Sequence, residues 1–377
     1  MGEPQRHLPG LDLLRALAVL WTMQFHSFVV GGLGPDWSWL SRYGWMGVDL
    51  FFVLSGYLIG GQLLRPLARG ATPSLREFYL KRAFRILPAF WAVLAAYLLW
   101  PGFREAPGME PWWKFASFIV NLDIDYGANA AFSHAWSLCV EEHFYLLFPA
   151  IALLLARRPS AARFRAACLL VLLGGIALRT ATWLRFDALQ PDRNWFIEDI
   201  YYPTWNRLDG LLAGVMLAAW QAYRPASWAR AARHADAFAL AGVAVLALAL
   251  WLFRDRVGLP GNSIGWPVLS LGLGLLVFAG AQRSGVLGAH ALPGAAWIAA
   301  ISYSLYLVHK PVYAVVQAHW GGALAGRGLV AYAAYGAASI AAAALLHYAV
   351  ERPFLRLRER VLRRSHPATS AEAAATA

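Results

Sequence analysis

Residues 237–253 read AFALAGVAVLALALWLF, an uncharged run with neither the alternation of a strand nor the polar stripe of a surface helix. Backbone groups in lipid must be satisfied internally, so only helices and closed barrels cross a bilayer. A barrel strand alternates apolar and polar residues, and this run does not. It reads as a membrane-spanning helix. Working outward, ten segments of about the required length follow: 12–32, 45–64, 84–101, 136–156, 166–184, 204–220, 236–253, 265–281, 294–318 and 328–350. The weakest are 45–64 and 204–220, which begin among charged residues. The fold class expected is an all-α integral membrane protein of about ten transmembrane helices.

Composition agrees. Of 377 residues, 59% are hydrophobic and 14% charged, against about 45–50% and 25% in soluble domains. The mean hydropathy is +0.47. Eighteen Trp, fifteen Tyr and twenty Phe supply the aromatic load of a membrane–water interface. Disorder, a coiled coil and a secreted disulfide scaffold are excluded. The two cysteines, Cys139 and Cys168, sit in apolar stretches and read as packing residues. No HExxH, clustered His/Cys ligands or P-loop is present, so no metal site is expected.

The net charge of +12 would raise the question of nucleic acid in a soluble chain. Here its placement matters more, and no nucleic-acid partner is expected. Of 33 Lys and Arg residues, 21 fall in one set of alternate connections that includes both termini. The other set holds eight: Arg42, Arg104, Lys114, Arg185, Arg193, Arg254, Arg256 and Arg327. The positive-inside rule then puts both termini in the cytoplasm. Leu11–Val30 is too long and too polar for a typical signal peptide and reads as a retained first span. Of the two longest external connections, 102–135 and 185–203, the first carries PWWKFASFIVNL (111–122), which suits a short interfacial helix. One domain, residues 1–354, is expected to fill the chain, with a basic, then disordered cytoplasmic tail at 355–377.

Ionisable groups inside a span are costly and need a partner or a purpose. Arg15 and His26 share the first span, eleven residues or about three turns apart, so they project from nearly one face about 16 Å apart. Asp49 stands at the outer end of the second span, and Ser55, Gly56 and Tyr57 interrupt its middle. Those small residues either permit close helix packing or leave room for a substrate arm. Arg82 and Arg85, spaced i, i+3, share a face and suit a phosphate clamp; the alternative is a positive-inside flank. In the fourth span Glu141 and Glu142 point about 100° apart, so one of the two is expected to face the interior. Arg207 and His309 are secondary site candidates, and Asp209, Lys310, Glu351 and Arg352 also lie in or near spans.

Six stretches in order carry a resemblance: LPGLDLLRALAVLWTMQFH (8–26), GVDLFFVLSGYLI (47–59), KRAFRILPAFW (81–91), AWSLCVEEHFYLLFP (135–149), ISYSLYLVHKPV (301–312) and VERPF (350–354). Together they resemble the membrane-bound acyltransferase 3 family, which includes O-antigen and other surface-polysaccharide O-acetyltransferases. The likeness runs from Leu8 to about Phe354. The family's basic residue and histidine of the first helix are matched by Arg15 and His26, and its Arg-x-x-Arg pair by Arg82 and Arg85. Its Trp-Ser-Leu-x-x-Glu segment is matched by Trp136, Ser137, Leu138 and the Glu141–Glu142 pair. A tryptophan often found after the ninth-span histidine is replaced by Lys310. The resemblance implies transfer of an acyl group, usually acetyl, from cytoplasmic acyl-CoA to an extracytoplasmic hydroxyl.

The expected assignment follows. Arg15, Arg82 and Arg85 bind acyl-CoA as donor substrate, with no tightly bound cofactor. His26 acts as general base or as acyl-accepting nucleophile, and Glu142 or Asp49 fixes its tautomer. The acceptor is a carbohydrate or lipid-linked glycan, and the location is the inner (plasma) membrane, multi-pass among its lipids. A transporter or flippase without acyl-transfer chemistry is the competing reading. It sits less well with the absence of internal repeats and with charged motifs crowded into the first four spans.

Overall fold

The computed structural model describes residues 8–30 and 41–364. Arg6 and the stretch 366–377, expected to be disordered, lie outside the described residues. Among those described the chain is helical, with a single antiparallel bridge, Met109 to Ala130, outside the helices. The long helices are α1 Pro9–Phe25, α2 Met46–Ala68, α3 Leu75–Leu99, α4 Trp136–Arg157, α5 Ala161–Leu189, α6 Asp209–Tyr223, α7 Ala235–Leu252, α8 Trp266–Gly280, α9 Ala295–Leu324, α10 Leu329–Leu346 and α11 Arg352–Arg364. Each of the ten expected segments overlaps one of α1 to α10.

Eight helical stretches among the described residues are long and apolar enough to cross a membrane. The two expected spans outside that set, α6 and α9, have different reasons. Fifteen residues give α6 about 22 Å, short of the hydrocarbon thickness. The thirty residues of α9 are long enough but carry Ser302, Ser304, His309 and Lys310 inside the bundle. The periphery is apolar instead. Leu146, Leu154, Leu170, Leu173, Leu240 and Leu345 are all more than half exposed, an arrangement suited to lipid and not to water.

Local sequence explains the helix boundaries. Pro9 opens α1, where its missing N–H costs nothing. Ser74 accepts from the Glu77 amide at 3.2 Å to cap α3, in a Ser-x-x-Glu arrangement. Ser160 caps α5 on the Arg163 amide. The basic part of the tail up to Arg364 lies in α11, residues 352–364, which packs against α3.

At the centre of the bundle α2 packs against α1, α4, α6 and α8, most extensively against α6. Gly56 lies where a side chain would run into the backbone of Leu211 and Gly214, and Gly214 abuts Val53 and Tyr57 in return. The two readings of the small residues in α2 therefore separate: Gly56 permits helix contact, while Ser55 lines a cavity. Arg179 explains its own place in an apolar helix. Fully buried, it donates to both carboxylate oxygens of Asp209 (2.7 and 3.2 Å) and to the carbonyls of Asn206 and Asn262. One side chain thus ties α5 to the segments that precede α6 and α8.

Of the connection between α3 and α4, only Trp112–Ala116 is helical in the expected interfacial stretch, with Trp112 and Trp113 exposed. The connection is nonetheless pinned. Lys114 pairs with Glu110 and Asp123 at 2.9 and 3.0 Å, and the Tyr126 amide donates to Glu198 of the α5–α6 connection. Phe132, buried and at φ +56°, turns this chain into α4. Its ring stacks on Tyr97 and Phe115, packing that holds a left-handed conformation costly for a non-glycine residue.

Candidate active site

Two cavities lie end to end inside the bundle. The first, about 160 Å³, is lined by Arg15 of α1, Arg82 and Arg85 of α3, Ser55 of α2 and Glu141 and Glu142 of α4. The second, about 310 Å³, holds His26, His134, Lys310 and Arg256 in its wall. Val48 and Tyr306 line both. The Tyr306 hydroxyl is shared between Ser137 Oγ at 2.5 Å and the His134 carbonyl at 2.8 Å, so a hydrogen-bonded phenol stands where the cavities meet.

In the arginine cavity the i, i+3 spacing does bring Arg82 and Arg85 to one wall, with Arg15 joining from α1. Arg85 forms an ion pair with Glu351, whose other oxygen accepts from Ser304 (2.8 Å) and His347 Nδ1 (2.9 Å). A π-helical turn carries His347 and Glu351, and Ser304 reaches the carboxylate from α9. Arg82 stands over the Tyr145 ring, and its buried Nε has no hydrogen-bond partner among the described residues. The three guanidiniums at one cavity each carry permanent charge and forked donors that could meet an anion.

The glutamate pair departs from expectation, because both Glu141 and Glu142 line this cavity. Ser55 Oγ (2.5 Å) and the Tyr145 hydroxyl (3.2 Å) donate to Glu141, whereas Glu142 Oε1 is buried without a hydrogen-bond partner among the described residues. The two point apart, yet the space between α2, α3 and α9 is wide enough to receive both.

In the histidine cavity His26 Nδ1 lies 2.7 Å from His309 Nε2 with the rings stacked. His309 Nδ1 in turn lies 3.0 Å from the Leu305 carbonyl. A carbonyl only accepts, so His309 carries its proton on Nδ1 and, when neutral, offers a lone pair at Nε2. His26 must then donate from Nδ1, which leaves the lone pair of its own Nε2 for chemistry. A hydrogen bond between two imidazoles thereby fixes the tautomer of His26, a task expected of Glu142 or Asp49.

Neither carboxylate hydrogen-bonds to His26. Glu142 is in the arginine cavity, and Asp49 accepts from buried Arg207 at 2.7 Å. Arg207 itself is enclosed by Trp266, Tyr201 and Trp136, with its guanidinium carbon 3.7, 4.4 and 5.1 Å from their ring centres. The pair Asp49–Arg207 ties α2 to the entrance of α6. It is structural in its contacts and stands as a correction to the placing of Asp49 beside His26.

Residues the sequence reading passed over complete the wall. Pro311 lacks an N–H, so the Leu307 carbonyl is left without its helical donor and takes one from His134 Nε2 at 3.2 Å. Glu105, in the connection after α3, accepts from Tyr97 (2.7 Å), the Phe132 amide (3.1 Å) and Lys310 (3.0 Å). Burial opposes ionisation of Glu105, but the Lys310 ammonium and these donors outweigh it and hold the carboxyl well below the usual carboxylate range. Lys310 is thus charge-matched from behind the cavity wall. His134 is the third ring of the cluster, with centroids 6.3 and 5.5 Å from His26 and His309.

The chain is similar over residues 8–348 to a family described as "Acyltransferase domain". Peptidoglycan O-acetyltransferase OatA of Listeria monocytogenes serovar 1/2a is 29% identical over 231 residues, covering 57% of this chain and 34% of that protein. O-acetyltransferase OatA of Staphylococcus aureus is 29% identical over 336 residues, covering 84% of this chain and 52% of that protein. The chain therefore spans between a third and about half of the length of these relatives. No solved structure gives a significant match.

Proposed function

Because the chain belongs to the acyltransferase-domain family, we propose that it is an integral membrane O-acetyltransferase that passes an acetyl group from acyl-CoA to a hydroxyl of a glycan. The observation that carries this reading is the pair of abutting cavities, one lined by arginines and the other by His26, with Val48 and Tyr306 between them. Arg15, Arg82 and Arg85 hold the phosphates of acyl-CoA, and the slim pantetheine arm passes Ser55 toward Tyr306. The thioester meets the acceptor hydroxyl at His26.

In the chemical step His26 Nε2 takes the proton of the acceptor hydroxyl. The oxygen attacks the thioester carbonyl, the carbon–oxygen ester bond forms and the carbon–sulfur bond breaks. The thiolate of CoA leaves and receives the proton from the imidazolium, which restores the base. His309 holds the ring in the required tautomer throughout. The rise of about 16 Å along α1 from Arg15 to its end, where His26 begins a 3-10 turn, and the asymmetry of basic residues support a donor bound from the cytoplasm and an acceptor reached from the opposite side. The names of the relatives favour a cell-wall glycan as acceptor.

Oriented proteoliposomes test the reading. Labelled acetyl-CoA outside the arginine end should acetylate a glycan confined to the other side, with free CoA released on the donor side. His26→Ala should cut the rate by about 10²–10⁴-fold, the usual contribution of a general base, in a protein that remains monodisperse. Acceptor movement without acetylation overturns the enzyme reading. Transfer that requires both substrates on one side overturns the through-membrane route, and labelled acetyl on His26 in the absence of acceptor replaces direct transfer with an acyl-histidine.

A further inference from the structure

The histidine cavity is a cationic pocket. Lys310 and Arg256 line it, and among the described residues no Asp or Glu does. The two cations differ in kind, since Lys310 is neutralised by Glu105 at 3.0 Å from behind the wall. Arg256 has no ion pair among the described residues, and its buried Nε has no hydrogen-bond partner among them. Its guanidinium is instead held by aromatic rings, with Phe25, Tyr201, Trp45 and Phe196 at 4.8, 4.7, 5.4 and 5.6 Å from their centres. The backbone that presents it is fixed as well. Asn262 Nδ2 donates to the Arg256 carbonyl at 3.0 Å, and Arg42 donates to the Arg254 carbonyl at 2.5 Å.

Aromatic faces attract a guanidinium, and the Tyr201 hydroxyl gives this one a neutral hydrogen-bond partner, yet no anion among the described residues meets its permanently charged fork. A carboxylate or phosphate supplies two oxygens at matching spacing. We propose that Arg256 is an acceptor-binding residue: it holds an anionic group, carboxylate or phosphate, on the glycan whose hydroxyl is acetylated at His26. Phe25 touches both ends of this arrangement, as the chain neighbour of His26 with its ring 5.3 Å away and as one face of the Arg256 box. The inference rests on the acyl-transfer reading and adds the charge of the acceptor to it.

The test uses the full chain in proteoliposomes and three N-acetylhexosamine oligosaccharides: one with free carboxylates, the same one with those carboxylates amidated, and one phosphorylated at its reducing end. The wild-type protein should acetylate an anionic oligosaccharide with the higher kcat/KM. Arg256→Gln should raise the KM for that acceptor by about tenfold to a hundredfold, the weight of one charge-assisted pair. The KM for the amidated acceptor and for acetyl-CoA should stay within about twofold, and Arg256→Lys should recover part of the loss. Dependence on the carboxylated or on the phosphorylated compound alone identifies which anion is read. Equal kcat/KM for all three in the wild type, or an equal loss on all three in Arg256→Gln, overturns the inference and returns Arg256 to the packing of its aromatic box. Absence of acetylation of every acceptor by the wild-type protein overturns the acyl-transfer reading itself, and this one with it.

Discussion

His26 and His309 lie 283 residues apart in sequence and 2.7 Å apart in space, and the proton order of the pair is dictated by a backbone carbonyl one helical turn away from His309. A base is usually oriented by a carboxylate. If His26 is the base of the proposed transfer, a second imidazole orients it, and no carboxylate has to be buried against its ring.

In the proposed transfer His309 positions His26, so its loss should lower kcat without altering donor binding. His309→Ala is expected to reduce kcat by about a hundredfold, the effect of a misplaced catalytic group, with the KM for acetyl-CoA unchanged. His309→Gln retains a carbonyl oxygen that accepts from His26 Nδ1 and should recover part of the rate. Equal activity of the alanine variant and the wild type in steady-state assays would detach His309 from the chemistry.

The arginine cavity predicts the opposite kinetic signature. Arg82→Ala and Arg85→Ala should each raise the KM for acetyl-CoA by about tenfold to a hundredfold, since a charged hydrogen bond is worth about 1.5–3 kcal/mol. Lysine at either position keeps charge but loses the fork and should fall between. Calorimetric titration with CoA reads the same loss directly. Unchanged affinity in the double alanine variant would make the pair a charged flank only.

Tyr306 separates the two cavities, so trimming it should uncouple them. Tyr306→Ala is expected to increase acetyl-CoA hydrolysis in the absence of acceptor while transfer to glycan falls, because water then reaches the thioester. Tyr306→Phe keeps the bulk and loses only the contacts to Ser137 and the His134 carbonyl, and its hydrolysis should stay near the wild-type level. Release of free CoA, followed with and without glycan, distinguishes the two variants.

Asp49 and Arg207 should report on stability before activity. Breaking a buried ion pair by removing one partner costs about 3–5 kcal/mol, so Asp49→Ala should lower the thermal unfolding midpoint markedly, as should Arg207→Ala. His26→Ala should leave it near the wild-type value. A normal midpoint together with lost activity in Asp49→Ala would restore Asp49 to the catalytic set.

The fold was legible because lipid leaves a chain few options: a run such as 237–253 has one reading, and an arginine at position 15 or a histidine at position 26 within such a run demands an explanation. Pairings were not legible. The same polarity flagged Asp49, Arg207 and His309, but only packing could decide that the first two belong to each other and the third to His26. Glu105 and His134 escaped notice because a polar residue in a connection is unremarkable, and Tyr306 because an aromatic in α9 is ordinary. The Glu141–Glu142 reading went astray for a geometric reason. An angle of 100° excludes one residue from a narrow seam between two helices, and it excludes neither from an open cavity.

The ion pair of Arg85 with Glu351 joins the third helix to the far end of the described chain across 266 residues. During synthesis Arg85 is made and inserted long before its partner exists. The arginine wall therefore reaches its final form only when the turn at His347–Glu351 docks beside α3, after every other wall of both cavities has been translated. A chain made only as far as α9 would hold His26 and His309 in place and still lack the partner that fixes Arg85 in the other cavity.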